Sequence, residues 1–418
     1  MITIAKKLKS RLTTAHIFMV SVLLVNGGNY LYNLLLGRFL GPEKFADAAI
    51  LVTFLLVLSF VAMTFQLVTA KFSVLFEAKV FKAFAASIYK KSIITGIVLG
   101  CFVVFFASEL QAFFNTSSSS MFVFFGIGIP LYFIMSVNRG IFQGTQKLIS
   151  LSVTYQAEMI SRLVITLALL YFLQIESSLL ISVGILLSFA CGLIPFDFKN
   201  IKWKTTNLLT KSQGKLVRNF FIITAFYELT QIIINNSDIL LVKHYFESYD
   251  AGLYASLALI GRVVYFIAWM FVMLLLPTVV QLKKEGKSTV PILLKYVTYI
   301  AGIAGVIIVG CVLFPTQIVT ILFGESYLAI TPLLWKYALA TGIFALSNIF
   351  AYYYLSLDKY IPVVLSGIFG MLQVVLVVFF HENLAQVVHV QIIAMVLLLV
   401  VQLSFFFYEN RFRSLRFD

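Results

Sequence analysis

Charge is what this sequence has least of. Of 418 residues only 11% are Asp, Glu, Lys or Arg, while 61% are hydrophobic and the mean hydropathy is +1.00. That composition excludes an ordinary soluble domain, and apolar runs of roughly 20 residues recur along the whole length, as in a polytopic helical membrane protein. The alternating pattern of an outer-membrane barrel is missing too. Cysteine is scarce: Cys101, Cys191 and Cys311 lie far apart in apolar surroundings, without ligand spacing, and read as packing residues. His16, His244, His381 and His389 are scattered. No GxxxxGK[ST] loop occurs, so the chain does not itself hydrolyse ATP, and HExxH, CxxC and GxSxG are equally missing. The outer connections are too short for an extramembrane catalytic centre. The sequence therefore predicts neither an enzyme nor a metal site nor an organic cofactor.

Acids are also few, 17 against 31 Lys and Arg, for a net charge of +14. In a soluble protein that excess would suggest nucleic acid. Here the basic residues cluster between apolar runs, so membrane topology explains them and no nucleic-acid partner is expected. The opening MITIAKKLKSR is basic and lacks a small-residue cleavage site, which predicts a retained first helix.

Apolar runs between polar breaks predict twelve spans: 14–36, 45–69, 84–107, 119–137, 148–173, 178–196, 218–243, 251–276, 291–314, 331–355, 360–380 and 385–408. Lys90, Lys91 and Lys336 intrude on two of them. Arg38, Lys44 and Lys243 fall on one side of this layout, and Arg162, Arg262 and Lys336 fall within spans. Every other Lys and Arg falls on the opposite side, so the positive-inside rule puts both termini in the cytoplasm.

The longest basic connection, 197–217, predicts an N-lobe over 1–196 and a C-lobe over 218–418, with six spans in each. LLLGRFLGPEKFADAAI from Leu34 overlies LLVKHYFESYDAGLYAS from Leu240, 206 residues on, which points to an internal repeat. Six spans per half insert both halves the same way up, so a pseudo-two-fold axis along the membrane normal, with a central cleft, is expected.

Polar stripes cross several spans. Glu158 and Arg162, within YQAEMISRL, share one helical face about 16 Å along span five, close to mid-membrane. Glu228, Gln231, Asn235 and Asp238 line one side of span seven, and Asn26, Asn29 and Asn33 one side of span one. Span eight carries Arg262 with Tyr265 and Trp269, and span ten carries Lys336. Isolated Asn, Ser or Gln can simply join helices by hydrogen bonds. Glu158 and Arg162 can neutralise each other locally. Arg262 and Lys336 have no acid three or four residues away, and cations of that kind suit a wet cavity for an anionic ligand.

RGIFQGTQK followed by YQAEMISRL resembles the fourth-to-fifth-span region of the multidrug/oligosaccharidyl-lipid/polysaccharide (MOP) flippase superfamily. GRFLGPEKFADAAI is similar to its first outer loop, with Ala46 where Gly is usual; Gly252 in DAGLYA restores that glycine in the second half, and Asp238 is familiar in span seven. The chain most resembles the polysaccharide-transport branch, which includes O-antigen, capsule and exopolysaccharide flippases. The resemblance implies a MATE-like fold in the bacterial cytoplasmic membrane. It also implies export of a polyprenyl-diphosphate-linked oligosaccharide by rocking lobes, beside glycan polymerases and glycosyltransferases. Lipid II flippases usually carry fourteen spans, against twelve here.

On that basis Arg262, Lys336 and Arg162 are expected to neutralise the diphosphate, and Asn29, Asn33, Tyr265 and Trp269 to meet the sugars. Arg139 is expected at the cytoplasmic mouth, either capturing the head group or anchoring to lipid phosphates. Glu158 holds Arg162 in place or exchanges partners, which leaves Arg262 and Lys336 as the freer cations. Glu228 and Asp238 are the candidates for coupling to H⁺ or Na⁺. The alternative is a MATE-like pump exporting small cations, in which cavity acids should dominate, whereas acids and bases within the spans are balanced.

Overall fold

The computed structural model describes residues 14–196, 209–357 and 359–414, all helix, turn or coil. Most of the 197–217 linker therefore lies outside the described residues. Every expected span falls on a helix. The helices are α1 (Thr14–Leu75), α2 (Ala78–Phe105), the short α3 (Ala107–Phe114), α4 (Ser120–Gly144), α5 (Leu148–Phe172) and α6 (Ser177–Gly192). They continue with α7 (Lys211–Tyr245), α8 (Ser248–Gly261), α9 (Val263–Lys284), α10 (Val290–Leu313) and the short α11 (Pro315–Leu322). A 3₁₀ turn (Glu325–Ile330) leads into α12 (Thr331–Ser356), α13 (Ile361–Phe379) and α14 (Leu384–Ser414).

Among the described residues, ten helices are long and apolar enough to cross a membrane. α1 has 62 residues, which at about 1.5 Å each is roughly three bilayer cores long, so it cannot cross once as a straight rod. It bends at Gly41 (φ 73°, ψ 171°), a left-handed geometry that glycine adopts freely, and the next residue, Pro42, offers no N–H to the helix ladder. That kink separates the first two expected spans. Residue 247, 206 positions on, interrupts the second half at the same point, between α7 and α8. The eight-residue helices α3 and α11 likewise follow the third span of each half, 208 positions apart. The element order thus repeats.

The chain forms two compact units: Met1–Asn33 with Phe54–Glu228, and Leu34–Thr53 with Leu229–Asp418. This differs from a cut at 197–217 in two places. Residues 218–228 join the first unit, where Phe220 meets Phe72 and Lys71 and Phe221 packs edge-on to Phe65 at 5.1 Å. Residues 34–53, the kinked elbow of α1, join the second.

In the first unit α4 packs against α2, α5 and α6. Gly96 and Gly100 form a GxxxG face on α2, and a Cβ at Gly100 would stand 2.6 Å from the Gly126 carbonyl of α4, so small residues let the two backbones meet. In the second unit α12 touches α8, α9, α10, α13 and α14. Its buried residues run around the whole circumference, as a central helix requires. The elbow is anchored in this unit by a buried ion pair, Lys243 Nζ to Asp47 Oδ1 at 3.2 Å, and by Tyr327 Oη donating to the Gly37 carbonyl at 2.7 Å.

The tightest approach of the elbow is at Gly252, where an added Cβ would lie 1.7 Å from the Pro42 carbonyl oxygen. Backbone cannot yield as a side-chain tip can, so Gly252→Ala is expected to destabilise the protein by about 1–3 kcal/mol. Gly305→Ala on α10, with nothing within 4 Å, should be neutral or slightly stabilising. Thermal unfolding of the two purified variants checks the contrast.

Candidate functional site

The first unit brings one acid and two guanidinium groups together. Glu158 and Arg162 lie one turn apart on α5, and Arg139 enters from α4. Arg139 Nη2 donates to Glu158 Oε2 at 2.7 Å, while Arg162 Nη1 stands 3.5 Å from Oε1. Arg139 is further fixed by Thr154, through Nε to Oγ1 (3.2 Å) and Nη2 to the carbonyl (2.9 Å), and it lies over the Tyr155 ring. Arg162 Nη2 instead reaches Asn29 Oδ1 on α1 at 2.7 Å, and the guanidinium sits 5.7 Å from the Tyr32 ring. Its Nε is buried with no acceptor among the described residues. Asn33 caps this arrangement by donating to the Asn29 carbonyl at 2.9 Å.

Two expectations change here. Arg139 is not at an exposed mouth: α4 runs on to Gly144, beyond the apolar run, and the residue is 4% exposed. Glu158 is held chiefly by Arg139, so Arg162 is the less fully engaged of the two cations. The cluster of two Arg and one Glu keeps a net positive charge inside the helices.

The second unit centres on Asp238, which is fully buried. Its Oδ2 accepts from Tyr337 (2.7 Å), Gln391 (2.8 Å) and Tyr254 (3.1 Å), and its Oδ1 from Arg262 Nη2 (3.0 Å). Three of the four donors converge on Oδ2 and one on Oδ1. Arg262 is the single residue between α8 and α9, and its Nη1 also approaches Asn236 at 3.5 Å. The expectation that Arg262 lacks an acid is therefore corrected: Asp238, 24 positions away in sequence, neutralises it across the helix interface. Asp238 is thus committed to a guanidinium and three neutral donors.

Beside this hub lies a cavity of about 20 Å³, lined among others by Asn235, Arg262, Thr341, Gln373 and Gln391. It holds about one water, far too little for a sugar or a diphosphate. Gln391 Oε1 in its wall has no protein donor. Tyr265 stacks on Phe344, centroids 5.3 Å apart, as part of the apolar packing. The Trp269 side chain lies outside the described residues.

Lys336 does not join Arg262. Its neighbour Tyr337 turns inward to Asp238, while Lys336 Nζ meets His389 Nε2 at 3.1 Å on another face. Glu228, at the boundary of the first unit, is half-buried and has no ion-pair or hydrogen-bond partner among the described residues. No sequence signal marked Tyr254, Tyr337, Gln391 or His389. Asp47, two residues into an expected span, was readable as a fourth intramembrane acid.

Residues 35–332 match the family described as "Polysaccharide biosynthesis protein", and the chain belongs to that family. No curated protein sequence matches it. Among solved structures, the lipid II flippase MurJ in an inward closed conformation has a TM-score of 0.73 at 16% identity, covering 93% of this chain and 87% of that one. An inward-facing multidrug resistance MATE transporter of the MOP superfamily has a TM-score of 0.70 at 14% identity, covering 90% and 93%. The MATE multidrug transporter DinF-BH has 0.62 at 16%, covering 95% and 94%. The fold is that of the MOP superfamily, and the ten long apolar helices among the described residues are those of a multi-pass membrane protein.

The hub predicts an energetic coupling between its two charges. Asp238→Asn strands a buried guanidinium and Arg262→Gln a buried carboxylate, so each should cost about 3–5 kcal/mol, with less membrane protein and a lower melting temperature. The double variant Asp238→Asn/Arg262→Gln should recover part of that loss, which a double-mutant cycle on melting temperatures measures.

Proposed function

We propose that this protein flips a polyprenyl-diphosphate-linked oligosaccharide from the inner to the outer leaflet of a bacterial cytoplasmic membrane by alternating access, for cell-surface polysaccharide assembly. The observation that carries the reading is the cluster of Arg139, Arg162 and Glu158, in a chain of a polysaccharide-biosynthesis family. A net cation inside membrane helices is costly unless an anion comes to it. Arg162 is the member to meet the diphosphate. Its Nε is unused, its bond to Glu158 is the longer of the two, and its other partner is the neutral amide of Asn29. Arg139 keeps Glu158 occupied, so that Arg162 can exchange Asn29 for phosphate oxygens as paired donors. Asn29 and Asn33 are then placed to meet sugar hydroxyls. Glycan polymerases and glycosyltransferases are the partners that would use and supply such a substrate.

Coupling falls to Glu228. Asp238 is held by a guanidinium and three neutral donors, whereas Glu228 is a carboxyl group on α7 with no partner among the described residues, free to take up and release a proton. The ion is H⁺ in this reading.

Complementation of a flippase-deficient strain, and translocation of the lipid-linked oligosaccharide in proteoliposomes, test the assignment. Arg162→Gln should lower translocation about tenfold or more at unchanged protein level, the loss of one charge-assisted contact to phosphate. Full translocation by this variant would overturn the role of Arg162; absence of translocation by the wild type, with cationic-dye export that Glu228→Gln abolishes, would establish the efflux pump instead. Separately, Glu228→Gln should make translocation insensitive to an imposed pH gradient, and replacing Na⁺ by K⁺ should leave the wild type unaffected. A flux that follows Na⁺ and not pH overturns the coupling assignment.

A further inference from the structure

Lys336 and His389 form a second surplus of positive charge, separate from the cluster around Arg162. They come from neighbouring helices, α12 and α14, which pack side by side. Each lies five residues beyond its helix start, at Thr331 and Leu384, hence about 7.5 Å in from that end. The two groups therefore sit at matching depth, and their nitrogens are 3.1 Å apart. No carboxylate pairs with either among the described residues. Trp335, 36% exposed, lies alongside, its ring 5.9 Å from the Lys336 ammonium.

Each element of this arrangement belongs to the membrane–water boundary. Tryptophan concentrates at head-group depth, and lysines near helix ends extend their ammonium groups to the same level. An ammonium donating to a neutral imidazole has a hydrogen bond but no counter-charge. A phosphate oxygen placed between them changes that. Lys336 Nζ then donates to it, and His389 donates from Nε2–H as well, giving two N–H···O⁻ bonds at the level where lipid phosphates lie. A free carboxylate or chloride would have to be brought to that depth, whereas every phospholipid already carries its phosphate there.

We propose that Lys336 and His389, with Trp335 as the apolar wall, bind the phosphate of a membrane lipid. The shared chemistry is a phosphate ester on an apolar tail, whether the phosphodiester of an anionic phospholipid or the diphosphate of a polyprenyl carrier. The site stands on its own contacts and does not depend on the role given to Arg162.

Native mass spectrometry of the full chain in mild detergent tests it, using phosphatidylglycerol, a polyprenyl diphosphate and diacylglycerol as probes. In the variant Lys336→Gln/His389→Gln, affinity for at least one phosphate-bearing lipid is expected to fall about tenfold, with diacylglycerol unchanged. Lys336→Arg/His389→Lys, which keeps two donors, should retain wild-type affinity, and each single variant should show an intermediate loss. A fall confined to phosphatidylglycerol supports the proposal with a resident lipid as the ligand. A fall confined to the polyprenyl diphosphate supports it with the carrier as the ligand. Unchanged affinity for both lipids overturns it, as does an equal fall for diacylglycerol.

Discussion

A charge taken into hydrocarbon must find its counter-charge within the protein or be left for something else to meet, and the rest of this structure follows from that constraint. Asp238 and Arg262 satisfy it as an even pair, with two tyrosines and a glutamine donating to the other carboxylate oxygen. Asp47 and Lys243 satisfy it again, and in doing so hold the elbow of α1 within the second unit. Glu158 satisfies it only in part, because two guanidinium groups share one carboxylate. Among the described residues, a positive charge is left around Arg162, another at Lys336 with His389, and a carboxyl group at Glu228. Matched charges build the helix bundle; the unmatched ones are where chemistry with a partner can occur.

The matched pairs also depend on backbone geometry. The elbow can present Asp47 to Lys243 because Gly41 supplies a left-handed bend and Gly252 lets the Pro42 carbonyl pass at close range. Arg262 reaches Asp238 from a one-residue interruption between α8 and α9, where a continuous span was expected. Asp47 and Arg262 thus sit beside a bend or a break, whereas Glu158, Arg162 and Asp238 lie within continuous helices.

Much of this was legible in the sequence, and the limits are physical. Twelve spans could be read because crossing a bilayer demands about 20 apolar residues, a constraint carried by consecutive positions. The repeat was legible because the outer-loop segments keep their offset, and the kink at Gly41 and the break at Glu247 fall at equivalent places. Glu158 with Arg162 was legible because helical neighbours are four residues apart. Arg262 with Asp238 was not, since nothing local in the sequence reports a contact 24 positions away. Lys336 and Tyr337 show the same limit: adjacent in sequence, they turn to different partners on different faces of α12. Arg139 was misplaced because the end of an apolar run was taken for the end of a helix, while α4 continues for another two turns.

Arg139 also alters what the YQAEMISRL pair means. Alone, Glu158 and Arg162 would be a self-neutralising couple with nothing to offer a ligand. Arg139 takes the shorter contact to the carboxylate and is itself pinned by Thr154, so Glu158 stays paired whatever Arg162 does, and its contact to Arg162 is the longer one at 3.5 Å. Asn29 then occupies Arg162 with a neutral acceptor, which a phosphate oxygen can replace with a gain in charge and without stranding an ion. The pair is poised because a third residue, invisible to helical spacing, holds the acid.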